Sequence, residues 1–366
     1  MTFNQPDPIQ PDPTQPTLTP LEPGPLPTAP TPPAPSSVFY GRFGLRAGWS
    51  ALIFIPLFIV FAIFFILVAL AAAGKLPGII HDMNSHAAKP TTIPDIRALD
   101  AFMGDILQFA GLALAAFLLS RIERRHISVY GIGRNRLADF LPGAFWGLAT
   151  LSLLVAILHA THLLVFDARA LYGAAAFSSG IKWLLAFLAV GLFEEYFSRG
   201  FLQFTLTRGV YGLAEKISLP HARAIAFTIA AFFMSLSFSA GHLHNARENP
   251  MGIVMTFLAA VIFSYALWRT GSLWWAIGFH MSWDWAQSFL YGVPDSGQIS
   301  AGRLFHTHPT GNPLLSGGID GPEGSVYVIP IMLLAALIIR YTTKSGTQPP
   351  LAPDVDPVHT PAPPSV

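Results

Sequence analysis

Acidic and basic residues stand within an otherwise apolar stretch of the chain. The segment LFEEYFSRGFLQ places Glu194, Glu195 and Arg199 at the end of a long apolar run. A charged side chain in such a run costs about 2.5–3.5 kcal/mol on insertion scales unless it is paired or faces water. Arg199 follows Glu195 by one helical turn, so these two can pair on one face, whereas Glu194 projects about 100° away. Glu194 is therefore left free for chemistry.

Two further apolar stretches carry histidines. The segment SLSFSAGHLHN places His242 one turn after Phe238, and GFHMSWDWAQ places His280 and Asp284 four residues apart, hence on one helix face. Three separate stretches thus bring ionisable groups into apolar surroundings. Because such groups are tolerated when they face a shared polar cavity, we predict that these helices converge on a central one.

This set of groups suits hydrolysis of an amide. A carboxylate and an imidazole can hold and deprotonate a water molecule and supply donors to the oxyanion that forms. The same two glutamates and two histidines (Glu194, Glu195, His242 and His280) could equally bind a divalent metal such as zinc, which would lower the pKa of its bound water. Both mechanisms are compatible with the sequence.

The elements that must position these groups are membrane helices. Of the 366 residues, 52% are hydrophobic and 11% are charged, against about 25% charged in soluble domains. Eight stretches approach the roughly 20 residues that cross a hydrocarbon core of about 30 Å. They run over 48–73, 98–120, 139–165, 176–203, 222–243, 251–268, 272–291 and 325–341. We predict an all-α fold, a polytopic membrane helical bundle of about eight transmembrane helices.

Both ends of the chain have the composition of disordered tails. Residues 1–37 and 346–366 are rich in proline among polar residues, so they cannot bury enough apolar surface to offset their ordering entropy. They flank a transmembrane domain over 38–345. The net charge of +1 gives no indication of a nucleic-acid partner, and the absence of cysteine excludes disulfides, thiolate nucleophiles and Cys-type zinc sites.

The distribution of Lys and Arg predicts the orientation. The loop after the second span is rich in arginine, and most other basic residues fall on the same side of the membrane, which the positive-inside rule makes cytoplasmic. The five in that loop are Arg121, Arg124, Arg125, Arg134 and Arg136. We expect a multi-pass protein of the cell (inner) membrane with both termini cytoplasmic and membrane lipids as partners. No oligomeric state follows from the sequence.

Other polar residues receive less specific interpretations. Asp105 and Gln108 in the second span are typical of a helix-packing contact. His244 and Asn245 are expected to support the site or cap a loop rather than to bind a ligand. The stretch 292–323 is extracytoplasmic on the predicted topology and contains His306 and His308. Loops of this length are commonly lids or disordered segments.

The three spaced motifs resemble those of a known family. Glu194-Glu195-x-x-x-Arg199, Phe238-x-x-x-His242 and His280-x-x-x-Asp284, in this order, are similar to the motifs of the CPBP family, the CAAX protease and bacteriocin-processing intramembrane proteases, also called Abi proteins. The resemblance covers roughly residues 140 to 330 and is closest to a bacterial branch. The chain has no HExxH, GxSG or GxGD, so zincin-like, rhomboid-like and presenilin-like chemistry is unsupported.

The resemblance implies an integral-membrane endopeptidase that cleaves a peptide or a lipidated protein. It implies that Glu194 is the general base that activates water and that His242 shares this water. It also implies that Glu195 holds the local geometry by pairing with Arg199 or with a histidine. Two alternatives stay open. One is a proton-coupled transporter, because buried ionisable residues also line transport paths. The other is an inactive membrane interaction or immunity protein.

The resemblance further implies that His280 and the residue four beyond it stabilise the oxyanion, with Phe238 as a packing residue. The family has Asn or Asp at that fourth position, and this chain has Asp284. Since an ionised carboxylate cannot donate a hydrogen bond to an oxyanion, we expect that Asp284 instead orients His280 from one turn away.

Overall fold

A computed structural model describes residues 38–76, 95–245 and 247–352, and these form a helical bundle. The predicted tails over 1–37 and 353–366 lie outside the described residues. The helices are α1 (Ala47–Ala72), α2 (Ala98–Ile122), α3 (Phe140–Ala160), α4 (Gly173–Glu195), α5 (Gln203–Lys216), α6 (Ala222–His242), α7 (Pro250–Thr270), α8 (Trp274–Trp285), α9 (Pro313–Ser316) and α10 (Val328–Thr342). A π-helical segment, Tyr196–Leu202, joins α4 to α5, and another, Ala286–Leu290, extends α8.

Six helical segments in the described part of the chain are long and apolar enough to cross a membrane. The predicted polytopic membrane bundle is therefore confirmed, whereas the number of eight spans is not. The predicted seventh span corresponds to α8, which has 12 residues before its π-helical extension. The eighth corresponds to α10, which has 15. Both are shorter than the roughly 20 residues that span a hydrocarbon core.

Two small antiparallel sheets accompany the helices. Strands β1 (Tyr40–Gly41) and β2 (Gly44–Leu45) form a short hairpin. Strand β3 (Leu164–Arg169) pairs with β4 (Phe305–Pro309), so that Leu164 lies opposite Pro309. The predicted third span, 139–165, therefore ends too late, because its helix stops at Ala160. Pairing with a strand about 140 residues further along the chain is a tertiary effect that local hydrophobicity does not reveal.

Glycines bring the backbones of α3 and α8 into direct contact. A Cβ atom on Gly143 would lie 2.1 Å from the Trp275 carbonyl oxygen, and one on Gly147 would lie 2.2 Å from that of Phe279. On the other helix, a Cβ on Gly278 would lie 2.2 Å from the Phe140 carbonyl oxygen. Small residues at membrane helix contacts permit this close approach. The contact fixes the position of α8, which carries His280 and Asp284.

Gly147→Ala should destabilise the protein by about 1–3 kcal/mol, because the added methyl group overpacks a backbone contact. Thermal unfolding in detergent measures the change. The matched control is Gly104→Ala on α2, where an added Cβ meets nothing within 4 Å. That control should be neutral or slightly stabilising, since alanine favours a helix over glycine. Equal stability of the two variants would contradict the close packing of α3 on α8.

A buried ionic cluster ties segments near both ends of the described chain to the end of the bundle opposite β3 and β4. Glu123 accepts from Arg125 at 2.9 Å and pairs with Arg208 at 3.0 Å, and these side chains are at most 2% exposed. Arg125 also donates to the Leu351 carbonyl at 2.8 Å, and Arg208 to that of Phe43 at 2.9 Å. Residues 346–352, which begin the predicted C-terminal tail, thus pack against the helices.

Candidate active site

The end of α4 holds the first ionic pair. Arg199 Nη1 donates to Glu195 Oε1 at 2.6 Å, and the two side chains are 1% and 0% exposed. The pairing therefore follows the predicted spacing of one turn, with Arg199 in the π-helical segment that begins directly after Glu195. Such π-helical turns are rare and occur frequently at functional sites. The neighbouring Glu194 side chain is 27% exposed.

His280 lies between carboxylates from two helices. Its Nδ1 is 3.0 Å from Glu195 Oε1, and its Nε2 is 3.4 Å from Asp284 Oδ2 and 3.8 Å from Glu194 Oε2. A carboxylate accepts hydrogen bonds only, so Nδ1 carries a proton and donates it to Glu195. Glu195 thus orients His280 through Nδ1. Asp284 contacts Nε2 from one turn away, on the same side as Glu194, and its orienting role stays a prediction.

His242 has a defined tautomer. Its Nδ1 lies 2.9 Å from the Phe238 carbonyl oxygen one turn earlier. A carbonyl also only accepts, so Nδ1 carries a proton. Nε2 is then the nitrogen that His242 presents to a water molecule at the C-terminal end of α6.

Aromatic rings connect the ionic pair with both histidines. The Arg199 guanidinium lies 4.4 Å from the centre of the Phe238 ring and 5.4 Å from that of Phe263. The Phe238 ring lies 4.8 Å from the His242 ring, and the Phe263 ring lies 5.6 Å from the His280 ring. Phe238 is therefore a packing residue, as predicted, and it also contributes a cation–π contact to the buried arginine.

A cavity of about 590 Å³, which we call the chamber, brings the sequence-predicted residues together. Glu194, His242, His280 and Asp284 all line it. Glu195 has no exposed surface and lies behind the residues that line the chamber, where it contacts His280. Arg199 lies behind them as well. The predicted convergence of three helices on one polar cavity is therefore observed, with four residues at the surface and two supporting them.

The remaining histidines that the sequence analysis singled out lie elsewhere. His244 is exposed, whereas Asn245 lines the chamber and donates to Glu248 Oε2 at 3.1 Å. His308 pairs with Asp167 across β3 and β4 at 2.8 Å. The two strands therefore order the region that was expected to be a lid or a disordered loop, and neither His306 nor His308 lines the chamber.

The sequence analysis misassigned one residue of the chamber and missed others. Asp105 of α2 lines the chamber and is not the helix-packing residue that its position predicted, whereas Gln108 bonds within its own helix, to the Gly104 carbonyl at 3.3 Å. An isolated acid in a membrane helix is by itself a signal of function. Asp295 and Glu323 also line the chamber, but nothing in their polar loop distinguished them.

The chamber reaches the surface of the bundle between α4 and α6. Helix α4 packs against α2 and α8, whereas α6 packs chiefly against α5 and α7. Phe193 and Phe197 line the chamber on one side of this gap, and Met234, Ser237 and Gly241 on the other. Ser237 and Gly241 are exposed, and we take this gap as the entrance to the chamber.

The segment 291–304, which we call the roof, covers the end of the chamber near β3 and β4. Its Ile299 carbonyl accepts from the Ile96 amide at 2.8 Å, and its Ala301 carbonyl accepts from Trp183 Nε1 at 2.9 Å. Asp295, Gln298 and Ser300 of the roof line the chamber. The roof therefore lies directly over the candidate active site and is anchored to α2 and α4.

Carboxyl groups with raised pKa values support the roof. Burial, followed by the charge of Glu248, raises the pKa of Asp320 to about 8. Burial likewise raises the pKa of Asp295 to about 6, although a hydrogen bond from Ser288 lowers it. Burial also raises the pKa of Glu323 well above its usual range. Glu323 accepts from the Ser296 amide, and Asp320 faces the Asn249 amide at 3.5 Å. The folded roof therefore retains protons that an unfolded segment would release.

The thermal stability of the protein should fall as the pH rises from about 4 to about 8. A raised carboxyl pKa stabilises the fold fully below the ordinary value of 3.8, and this contribution is lost progressively as the pH rises through about 8. Asp320→Asn, which stays neutral, should show a flatter dependence, whereas Asp100→Asn at an exposed position should follow the wild type. If the stability of Asp320→Asn changed with pH in parallel with that of the wild type, Asp320 would not be the group responsible for this pH dependence.

The residues proposed as metal ligands are Glu194, Glu195, His242 and His280. Within the described ranges, no three His, Cys, Asp or Glu side chains are gathered as a metal ion would require. Nδ1 of His280 is bonded to Glu195 and Nδ1 of His242 to a carbonyl, which leaves Nε2 of each ring, the usual arrangement in metal-binding histidines. Zinc binding therefore stays a prediction.

Comparison with known proteins gives one family match. Residues 176–286 match the family described as type II CAAX prenyl endopeptidase Rce1-like. This range covers α4 to α8 and contains all three motifs, and it indicates a protease and a multi-pass membrane protein. No curated protein and no solved structure matches the chain.

Proposed function

Because residues 176–286 match the family described as type II CAAX prenyl endopeptidase Rce1-like, we propose that the protein is an intramembrane endopeptidase of the CPBP type in which Glu194 activates a water molecule. The observation that carries this proposal is the convergence of Glu194, His242, His280 and Asp284 on one chamber. We further propose that it resides in the cell membrane with both termini cytoplasmic.

The geometry supports a division of roles in the proposed reaction. Glu194 is partly exposed to the chamber and free of the arginine, so its carboxylate accepts the proton of a water held by His242 Nε2. The hydroxide attacks the carbonyl carbon of the scissile bond. His280, whose Nδ1 proton is fixed on Glu195, presents an Nε2–H to the developing oxyanion. Asp284 keeps that ring protonated by facing Nε2 at 3.4 Å.

The ionic pair behind the chamber supports this arrangement. Arg199 and His280 share one oxygen of Glu195 at 2.6 Å and 3.0 Å. Of these three side chains, only His280 lines the chamber. The pair of Glu195 and Arg199 therefore acts by positioning the imidazole of His280. A rigid, preorganised donor costs no reorganisation in the transition state, which is the main source of electrostatic catalysis.

The shape of the chamber favours a membrane-anchored substrate. Its lining combines the polar site with apolar side chains (Phe187, Val190, Phe193, Met234, Met255), and its entrance between α4 and α6 faces lipid. A peptide that carries a prenyl or other lipid chain, or an apolar membrane segment, can place its apolar part in this entrance and its scissile bond beside Glu194. The substrate class proposed is therefore a lipidated or membrane-embedded peptide.

The test is cleavage by purified protein in liposomes. The probes are a farnesylated CAAX peptide, the same peptide without the lipid, and an apolar membrane-spanning peptide, each analysed by mass spectrometry. We expect cleavage at a single internal bond of a membrane-bound probe and little cleavage of the free peptide. Absence of cleavage of every probe, together with Glu194-dependent proton uptake into the liposomes, would favour the transporter instead.

A chelator distinguishes the two hydrolytic mechanisms. Turnover that resists chelation supports the mechanism in which Glu194 and His242 act on water without a metal. Loss of turnover on chelation and its recovery with Zn²⁺ would overturn that mechanism and assign the same side chains to a metal.

A further inference from the structure

Asp105 is an acid of the chamber that the three motifs do not include. It lies on α2, outside the matched range 176–286, and it lines the chamber together with Ala101, one turn earlier on the same face. Among the described residues it has no hydrogen bond and no ion pair, whereas its neighbour Gln108 bonds to its own helix. A polar side chain in a membrane helix without a partner in the bundle is left to act on what enters the chamber.

Most charged groups around the chamber have partners. Glu195 contacts Arg199 and His280, and His280 also contacts Asp284 and Glu194. Asp295 accepts from Ser288, and Glu323 accepts from the Ser296 amide. Excess negative charge in surroundings of low dielectric constant is costly, so some of these carboxyl groups take up protons.

Asp105 is the acid of the chamber that has no such partner among the described residues. It lines the same chamber as Glu194 and His280, yet it contacts no cation. When two carboxyl groups share a site, the one without a neighbouring cation commonly serves as the acid and the other as the base.

We propose that Asp105 is a further catalytic residue, the acid that protonates the leaving amine. This inference rests on the proposed function. Glu194 takes a proton from water, and the resulting hydroxide bonds to the carbonyl carbon. As the tetrahedral intermediate collapses, the C–N bond breaks and the amine nitrogen takes the proton of the Asp105 carboxyl group. The proton on Glu194 then returns to Asp105, so that one water is consumed and both residues are restored.

The test compares two leaving groups in the same substrate. The probes are the membrane-anchored peptide and its analogue with a thioester at the scissile bond, whose thiolate departs without protonation. Asp105→Asn keeps the size and polarity of the side chain and removes its proton. We expect kcat for the amide to fall by about 10²-fold or more, as loss of a general acid predicts, and kcat for the thioester to change by less than about threefold.

The thioester reaction also reports an intact chamber, so a folding defect is recognised directly. The matched control is Asp100→Asn on the same helix, where the side chain is exposed; it should leave both reactions unchanged. An equal loss on both substrates, or no loss on the amide, would overturn the inference. A wild type that cleaves the thioester and no amide would overturn the proposed function itself.

Discussion

Glu194→Gln abolishes peptide-bond cleavage in purified protein, with kcat lower by about 10³-fold, because the amide cannot accept the proton of the attacking water. Glutamine preserves the size of the side chain, which is 27% exposed to the chamber and holds no ion pair with an arginine. Yield and thermal stability should therefore stay close to those of the wild type. Cleavage of the membrane-anchored peptide, measured under saturating substrate, gives the effect.

The control for this prediction is the same substitution outside the chamber. Glu215→Gln on α5 removes a carboxylate that pairs with Arg42 at 2.8 Å, where the arginine side chain is 63% exposed. Exposed pairs of this kind contribute about 0–1 kcal/mol, so activity and stability should be unchanged. If Glu194→Gln retained a tenth or more of the wild-type kcat, another group would be the base.

Arg199→Met is the variant with the largest expected loss of stability. It leaves the Glu195 carboxylate buried without its cation, and breaking a buried ion pair in this way costs about 3–5 kcal/mol. The cation–π contacts with Phe238 and Phe263 are lost as well. Unfolding by heat or denaturant in detergent should show the change. Arg97→Met is the matched control, because its pair with Asp100 is 69% and 57% exposed.

A double variant separates the effect of this substitution on stability from its effect on activity. Glu195→Gln combined with Arg199→Met removes the uncompensated charge, so much of the lost stability should return. Activity should not return, because His280 Nδ1 then faces a neutral amide in place of the carboxylate that fixes its proton. An Arg199→Met protein as stable as Arg97→Met would show that Glu195 is not held by this pair. Recovery of activity in the double variant would show that the carboxylate does not position His280.

The residues of the site could be predicted because charged side chains are rare in membrane-spanning stretches. In a chain with 11% charged residues, each acid or imidazole in an apolar run demands an explanation, and helical spacing alone predicts the pairing of Glu195 with Arg199. The resemblance to a family added the proposed roles. The distinction between Glu194 at the surface of the chamber and Glu195 behind it follows from the 100° turn between successive residues.

Other features depend on tertiary contacts that no local pattern contains. The sequence left open whether Glu195 pairs with Arg199 or with a histidine, and the fold shows that it contacts both. Asp105 was interpreted as a packing residue because its helix lies outside the motifs, and only the fold shows which of its faces meets the chamber. The β3 and β4 pair joins segments about 140 residues apart. The count of eight spans is not confirmed at α8, which is buried inside the protein by the glycine contacts with α3, so that apolar residues there face other helices.

The most direct test of the account is cleavage of the membrane-anchored peptide by purified protein in water enriched in oxygen-18. If Glu194 activates a water in the chamber, the wild type places one labelled oxygen atom in the new C-terminal carboxylate of the product, and Glu194→Gln yields no product in the same time. Product without the label, or labelled product formed equally fast by Glu194→Gln, would contradict the claim that this chamber hydrolyses peptides with Glu194 as its base.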